Sequence, residues 1–137
     1  MFDRQRLQQS LQDIWGYDQF RYPQGEAIDC LLAGRDCLVV LPTGGGKSLC
    51  FQLPALVGDG LTLVVSPLVA LMEDQVQDLH RKKLPAACLH SQLSRGDRKS
   101  ILSQVKSQQL RLLYLSPETF LSPQLWDILR EPALQLQ

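Results

Sequence analysis

Histidine is scarce in this sequence, net charge is absent, and no long apolar run occurs in it. Each absence excludes something. Lys plus Arg number 14 and Asp plus Glu number 14, so the formal charge is zero. There is no broad electrostatic attraction to a polyanion, and any nucleic-acid contact has to rest on individual residues. The two histidines and four cysteines (Cys30, Cys37, Cys50 and Cys88) include no C-x-x-C pair, which argues against a zinc site. Each cysteine sits among apolar neighbours, as in "AIDCLLAG" and "RDCLVVL", and reads as a buried free thiol in a reducing compartment. The opening "MFDRQRLQQS" has no apolar run behind it, so it is neither a secretory signal nor a membrane span, and a cytoplasmic location follows by default. No internal repeat, low-complexity tract or linker interrupts the chain.

What is present is an alternation of two periods. Leu7, Leu11 and Ile14 give residues 5–14 helical spacing, and "WGYDQFRYP" follows as a turn. In "QGEAIDCLLAG" the residues Ala27, Ile28, Leu31 and Leu32 share one helical face, with Gly34 as C-cap. The run "CLVVLP" (37–42) reads as a buried strand ended by Pro42, and "KSLCFQLPAL" as a helix. A second buried strand covers 61–66. A helix covers 68–83, with Leu68, Leu71, Met72, Val76 and Leu79 at helical spacing and Leu68, Leu71 and Val76 in the core, and "AACLH" is a third strand. Residues 95–107 form a polar helix, "RLLYLS" a fourth strand, 117–130 a helix, and "EPALQLQ" a turn entering another strand. Strands separated by helices predict right-handed βαβ units and a mostly parallel α/β sheet flanked by helices, with ligands at the carboxyl ends of the strands. Three polar segments begin there: "PTGGGKS", "SPL" and "SPE".

"LPTGGGKS" (41–48) departs from G-x-x-x-x-G-K-[ST] only at Leu41. Gly44, Gly45 and Gly46, after Thr43, let backbone N–H groups turn inward around a phosphate chain, and the helix that follows adds partial positive charge. Lys47 can reach the β and γ phosphates, and the Ser48 hydroxyl can coordinate Mg²⁺. The competing reading is a flexible glycine turn, but strand, G-G-G-K-S and helix stand in the order a P-loop NTPase requires. Leu41 then ends the strand and packs beneath the loop.

With its apolar first position, L-P-T-G-G-G-K-S resembles motif I of superfamily-2 helicases, and more narrowly of RecQ-family ATP-dependent DNA helicases. "LQDIWGYDQFRYPQGEAI" (11–28) resembles that family's motif 0, "VVSPLVALMEDQV" (64–76) its motif Ia and "LLYLSPETF" (112–120) its motif Ib. The resemblance implies that residues 1–137 are the N-terminal portion of a first RecA-like ATP-binding domain. The chain ends about where the strand leading to the family's D-E-x-H box should begin, so the sheet is expected to be incomplete, and ATP hydrolysis and unwinding to be negligible from these residues alone.

The same resemblance assigns roles residue by residue. Tyr17 and Arg21 would flank adenine, and Gln24 would pair with its edge. Without the downstream loop, Tyr17 would read as core and Gln24 as surface. Thr43, Gly44, Gly45, Gly46, Lys47 and Ser48 would hold ATP and Mg²⁺, with Lys47 as the catalytic residue. Ser66, Pro67, Leu68, Asp74 and Gln75 from motif Ia, and Ser116, Pro117 and Glu118 from motif Ib, would track single-stranded DNA. Glu73, where many relatives are neutral or basic, is expected to face solvent, and Thr119 stands where relatives often carry a cation. His90 and Ser91 fall in a short DNA-touching loop, though a plain surface turn fits them equally. The implied activity is 3′-to-5′ unwinding of single-stranded or forked DNA in repair and recombination, with a single-stranded-DNA-binding protein as a partner and no membrane. Two rivals stand beside it. Another P-loop enzyme, such as a small-molecule kinase, explains G-G-G-K-S but not F-R-x-x-Q. A truncated nucleotide-binding product without catalytic activity is the second.

Overall fold

Helix α1 (Arg4–Trp15) forms where the leucine spacing places it, with one residue more at each end. Asp3 caps it by accepting from the Gln5 N–H at 2.9 Å. Gly16, at φ +74°, closes it with its N–H on the Gln12 carbonyl. The computed structural model describes residues 3–136, and the chain divides into two units at Gly58 and Asp59.

In the first unit, α1 is followed by α2 (Gln24–Leu32) and α3 (Lys47–Val57). Leu7, Leu11, Ile28, Leu49 and Leu53 form its core, with Trp15, Phe20, Leu32 and Val57 packed around them. Leu11 and Leu53 are wholly buried, each contributing about 1.5–3 kcal/mol of transfer free energy.

The expected strand over 37–42 is not formed. Residues 37–42 pair with nothing in a sheet, and Leu38 and Val40 are 91% and 84% exposed. The reason is elementary: an extended segment becomes a strand only when a neighbour satisfies its N–H and C=O groups. The described residues up to Gly58 contain helices and no other strand. Cys37 is consequently exposed and Cys30 half-buried, so only Cys50 and Cys88 are the buried thiols the sequence suggests.

The second unit is a parallel α/β layer. Strands β1 (Thr62–Val65), β2 (Ala86–Leu89) and β3 (Leu112–Leu115) pair in the order β1-β3-β2. Val65 and Leu89 both lie opposite Leu115, so the three strands end level. β2 and β3 are buried along their whole length, and β1 only partly. Leu61 forms an isolated parallel bridge with Leu136 and donates to the Gln135 carbonyl at 3.2 Å, after a 3₁₀ turn over Pro132–Leu134. Pairing at the end of the "EPALQLQ" segment therefore begins as expected; Gln137 itself lies outside the described residues.

Helix α4 (Val69–Arg81) buries Met72, Val76 and Leu79, the i, i+4, i+7 stripe that faces the sheet. Leu68 and Leu71, expected in the core, are 58% and 46% exposed. Leu68 is the N-cap, with non-helical dihedrals, and Leu71 lies about 100° around the helix from Met72. Helix α5 (Arg95–Lys106) is capped by Ser94, which accepts from the Asp97 N–H. The single helix expected over 117–130 is two, α6 (Pro117–Phe120) and α7 (Pro123–Leu129). Pro123 has no N–H with which to continue α6, and starts α7 instead. Trp126 fastens the pair, donating from Nε1 to the Phe120 carbonyl at 2.6 Å with the rings edge-to-face at 5.3 Å. Among the described residues, no helix is long and apolar enough to cross a membrane.

Candidate functional site

The glycine loop of the first unit has the backbone its sequence requires. Gly44 and Gly46 sit at φ +79° and +81°, and the Gly45 N–H closes a turn on the Pro42 carbonyl at 2.9 Å. A side chain on Gly45 would crowd that carbonyl and come within 3.2 Å of the Leu41 Cβ. Leu41 therefore packs under the loop, half-buried, as its apolar character suggests. Gly46 is the N-cap of α3, and no side chain caps that helix. Its first-turn N–H groups and dipole favour an anion at that end of the helix. Thr43, Gly44 and Lys47 are exposed there, and Ser48 is half-buried.

A cavity of about 170 Å³ joins this loop to the turn before α2. Trp15, Tyr17, Gln19, Arg21 and Gln24 line one side, and Gly44, Gly46, Ser48 and Leu49 the other. Two segments about 25 residues apart in sequence, singled out separately, thus meet at one concavity. Tyr17 is 52% exposed and Arg21 exposed, so both present a face to solvent rather than to the core. Gln24 is buried and already engaged. Its Oε1 accepts from the Arg21 N–H at 2.9 Å, and its Nε2 donates to the Gly46 carbonyl at 3.1 Å. Each end of the amide keeps one further hydrogen-bonding position, a lone pair on Oε1 and a second N–H on Nε2. A larger hollow of about 510 Å³, between Arg4, Tyr22 and Asp29, carries an exposed ion pair and no glycine loop.

The donor set also bears on a metal ion. Among the described residues, no group of three or more His, Cys, Asp or Glu side chains could hold one. Ser48 fits as a single oxygen ligand of Mg²⁺, an ion that keeps several waters and takes other ligands from bound phosphates.

The second unit gathers most of the other expected residues on one edge. β1, β2 and β3 are followed by Ser66, His90 and Ser116, and backbone bonds tie these turns to neighbouring strands: Ser66 N–H to the Leu115 carbonyl, Ser116 N–H to the Leu89 carbonyl. Pro67, Leu68, Ser91 and Glu118 are exposed there, and Ser66 and Pro117 half-buried; within α4, Asp74 is exposed and Gln75 half-buried. The Ser66 Oγ accepts from the Leu68 N–H at 3.2 Å.

Two residues expected to touch nucleic acid face inward. His90 is 2% exposed, with Nε2 on Glu73 Oε1 at 2.8 Å and Nδ1 accepting from the Gln92 N–H at 3.2 Å. Neither ring nitrogen is left for a phosphate, and Glu73 has a partner rather than simply facing solvent. Ser116 is 3% exposed and caps α6 through the Thr119 N–H, its hydroxyl 2.9 Å from the equally buried Thr119 hydroxyl. The absence of a cation at position 119 therefore follows from its burial. Ser-x-x-Thr with proline at the second position is a helix N-cap signature that could have identified the pair from sequence. No sequence signal marks the bonds of Gln24 or Glu73.

The model of the family described as DEAD/DEAH box helicase matches residues 21–134. The chain is 74% identical over its full length to the "ATP-dependent DNA helicase RecQ" of Synechocystis sp., of which it covers 29%. It is 44% identical over 132 residues to the "Probable ATP-dependent DNA helicase RecS" of Bacillus subtilis, covering 96% of this chain and 26% of that one. It thus spans less than a third of the length of these relatives. Among solved structures, an ATP-dependent RNA helicase from Sulfolobus tokodaii, described as hypothetical, superposes with a TM-score of 0.66 at 20% identity, over 91% of this chain and 37% of that one. The DUF1998 helicase MrfA superposes at 0.67, also at 20% identity, over 88% and 20%. The α/β, RecA-like fold expected from sequence, a mostly parallel sheet flanked by helices, is thereby borne out.

Proposed function

The chain belongs to the DEAD/DEAH box helicase family, and from that premise we propose that residues 1–137 are the N-terminal part of the ATP-binding domain of a RecQ-type, ATP-dependent DNA helicase. Its activity would be 3′-to-5′ unwinding of forked DNA, driven by ATP and used in repair and recombination, with a single-stranded-DNA-binding protein as a partner. The observation that carries this reading is the cavity where Tyr17, Arg21 and Gln24 meet Gly44, Gly46 and Ser48. Adenine enters between Tyr17 and Arg21, and the unused positions of the Gln24 amide read its edge. The phosphates follow the loop of Thr43, Gly44, Gly45 and Gly46 onto the N-terminus of α3, where Lys47 neutralises their charge and Ser48 contributes one oxygen to Mg²⁺. Residues 1–137 contain no D-E-x-H sequence, so this part grips nucleotide and does not orient the attacking water.

DNA lies across the level strand ends of the second unit. Ser66, Pro67, Leu68, Ser91 and Glu118 form the accessible part of that edge, and hydroxyls and backbone N–H groups make the contact in place of cations. The test is titration of this chain with a fluorescent ATP analogue and with a labelled oligothymidylate. Saturable nucleotide binding that Lys47→Ala removes supports the reading, and indifference to Lys47→Ala overturns it. A small-molecule kinase would bind nucleotide equally but ignore the oligonucleotide.

A further inference from the structure

The loop between β2 and α5 starts at a buried side chain that reaches another element. His90 stands directly after β2, and the Gln92 N–H donates to its Nδ1 at 3.2 Å. Because Nδ1 accepts, the hydrogen-bond network assigns the ring proton to Nε2, which donates to Glu73 Oε1 at 2.8 Å. Glu73 lies on α4, 17 residues earlier. The two ends differ in burial: the imidazole is 2% exposed and the carboxylate side chain 48%. One end is therefore anchored in the fold and the other stands at the surface. The main chain adds a second tie, from the Leu93 N–H to the His90 carbonyl.

Glu73 is otherwise poorly placed. It is a carboxylate on the helix that follows Ser66 and Leu68, on an edge read as contacting a polyanion, where negative charge opposes binding. On the same helix Asp78 bridges to Arg81 and to Lys82 at the C-cap. Among the described residues Glu73 bridges to no Lys or Arg; its hydrogen bond is to a ring in a different segment.

We propose that Glu73 and His90 are positioning residues: their hydrogen bond is a strut that fixes the Ser91–Gln92 turn relative to α4, so that the turns after β1 and β2 present one nucleic-acid surface. The inference rests on the reading of this edge as the DNA contact. Holding the turn is worth more to binding than the carboxylate's repulsion costs. The carboxylate's charge is incidental, and its acceptor oxygen is the part the strut uses.

That separation makes the test. Glu73→Gln keeps an acceptor oxygen and removes the charge; Glu73→Ala removes both. Binding of a labelled oligothymidylate and amide hydrogen exchange at residues 90–94 are measured for this chain and both variants. Glu73→Ala is expected to speed exchange of the Gln92 amide about tenfold and to weaken oligonucleotide binding about fivefold, the worth of one hydrogen bond. Glu73→Gln is expected to keep the slow exchange and to bind as tightly as the parent or tighter. If both variants bind more tightly, Glu73 acts by charge alone and the strut is overturned. If Glu73→Ala loosens the turn without weakening binding, the strut holds the fold but positions nothing, and the proposal also fails. If the unmodified chain binds no oligonucleotide, the nucleic-acid reading itself falls, and exchange alone decides whether the strut exists. His90→Gln, which can still reach Glu73, should restore the turn better than His90→Asn, which can only accept from Gln92.

Discussion

The Gln24 side-chain amide donates to the Gly46 carbonyl at 3.1 Å, joining the first residue of α2 to the N-cap of α3. A residue expected to read adenine thus also holds the phosphate loop. Gln24→Ala frees that carbonyl and the Arg21 N–H together. We expect affinity for a fluorescent ATP analogue to fall by up to about thirtyfold, from two hydrogen bonds with a net worth of about 1 kcal/mol each. Unchanged affinity would show that the bond does not shape the site.

Gly46 and Gly44 share a left-handed φ but not their surroundings. A Cβ on Gly46 would overlap Gln24 Nε2, and one on Gly44 would meet nothing within 4 Å. Gly44→Ala should cost about 1–2 kcal/mol of backbone strain. Gly46→Ala should cost more and also weaken nucleotide binding by displacing Gln24. Thermal melts of the two variants in parallel decide this, and equal losses would remove the steric argument.

Lys47 is exposed at the start of α3. Lys47→Ala should therefore leave folding stability within about 0.5 kcal/mol. Nucleotide affinity should fall roughly 10- to 100-fold, the worth of a charge-assisted contact to phosphate. A large drop in melting temperature would mean that Lys47 supports the fold instead.

Cys88 gives a pH signature. Burial, and after it the Glu73 carboxylate, push its thiol from 9.0 up to about 11. Below pH 9 both folded and unfolded chains keep the proton, and this group leaves stability unchanged. Between pH 9 and about 11 the unfolded chain releases the proton and the folded chain retains it, so stability falls as pH rises, by at most about 1.4 kcal/mol per unit. At pH 8, a thiol reagent should label exposed Cys37 quickly and Cys88 only at the rate of unfolding. Equal labelling would contradict the burial of Cys88.

Ser116→Ala separates a cap from a contact. It removes an N-cap and leaves the buried Thr119 hydroxyl without its partner, which should cost about 1–3 kcal/mol. Oligonucleotide binding well below the melting temperature should be unaffected. Selective loss of binding at unchanged stability would restore Ser116 to the DNA surface.

Local chemistry was legible in the sequence. The alternation of strand and helix from Leu61 to Leu115, the glycine loop and the place of Leu41 beneath it all follow from periodicity and backbone dihedrals, which neighbouring residues set among themselves. The resemblance carried by the motifs needs no more than their order. Tertiary structure decided what depends on a distant partner. Residues 37–42 have strand composition but no neighbour to ladder with. Leu68, Leu71, Met72, Val76 and Leu79 all match helical spacing, yet the sheet buries only the last three. His90 and Ser116 follow strands as binding residues do, but Glu73, Gln92 and Thr119 use their polar atoms. A hydrogen bond across 17 or 22 residues has no period and no local dihedral signature. Its energy is decided by which atoms the fold brings within 3 Å of each other, and there the sequence read on its own is silent.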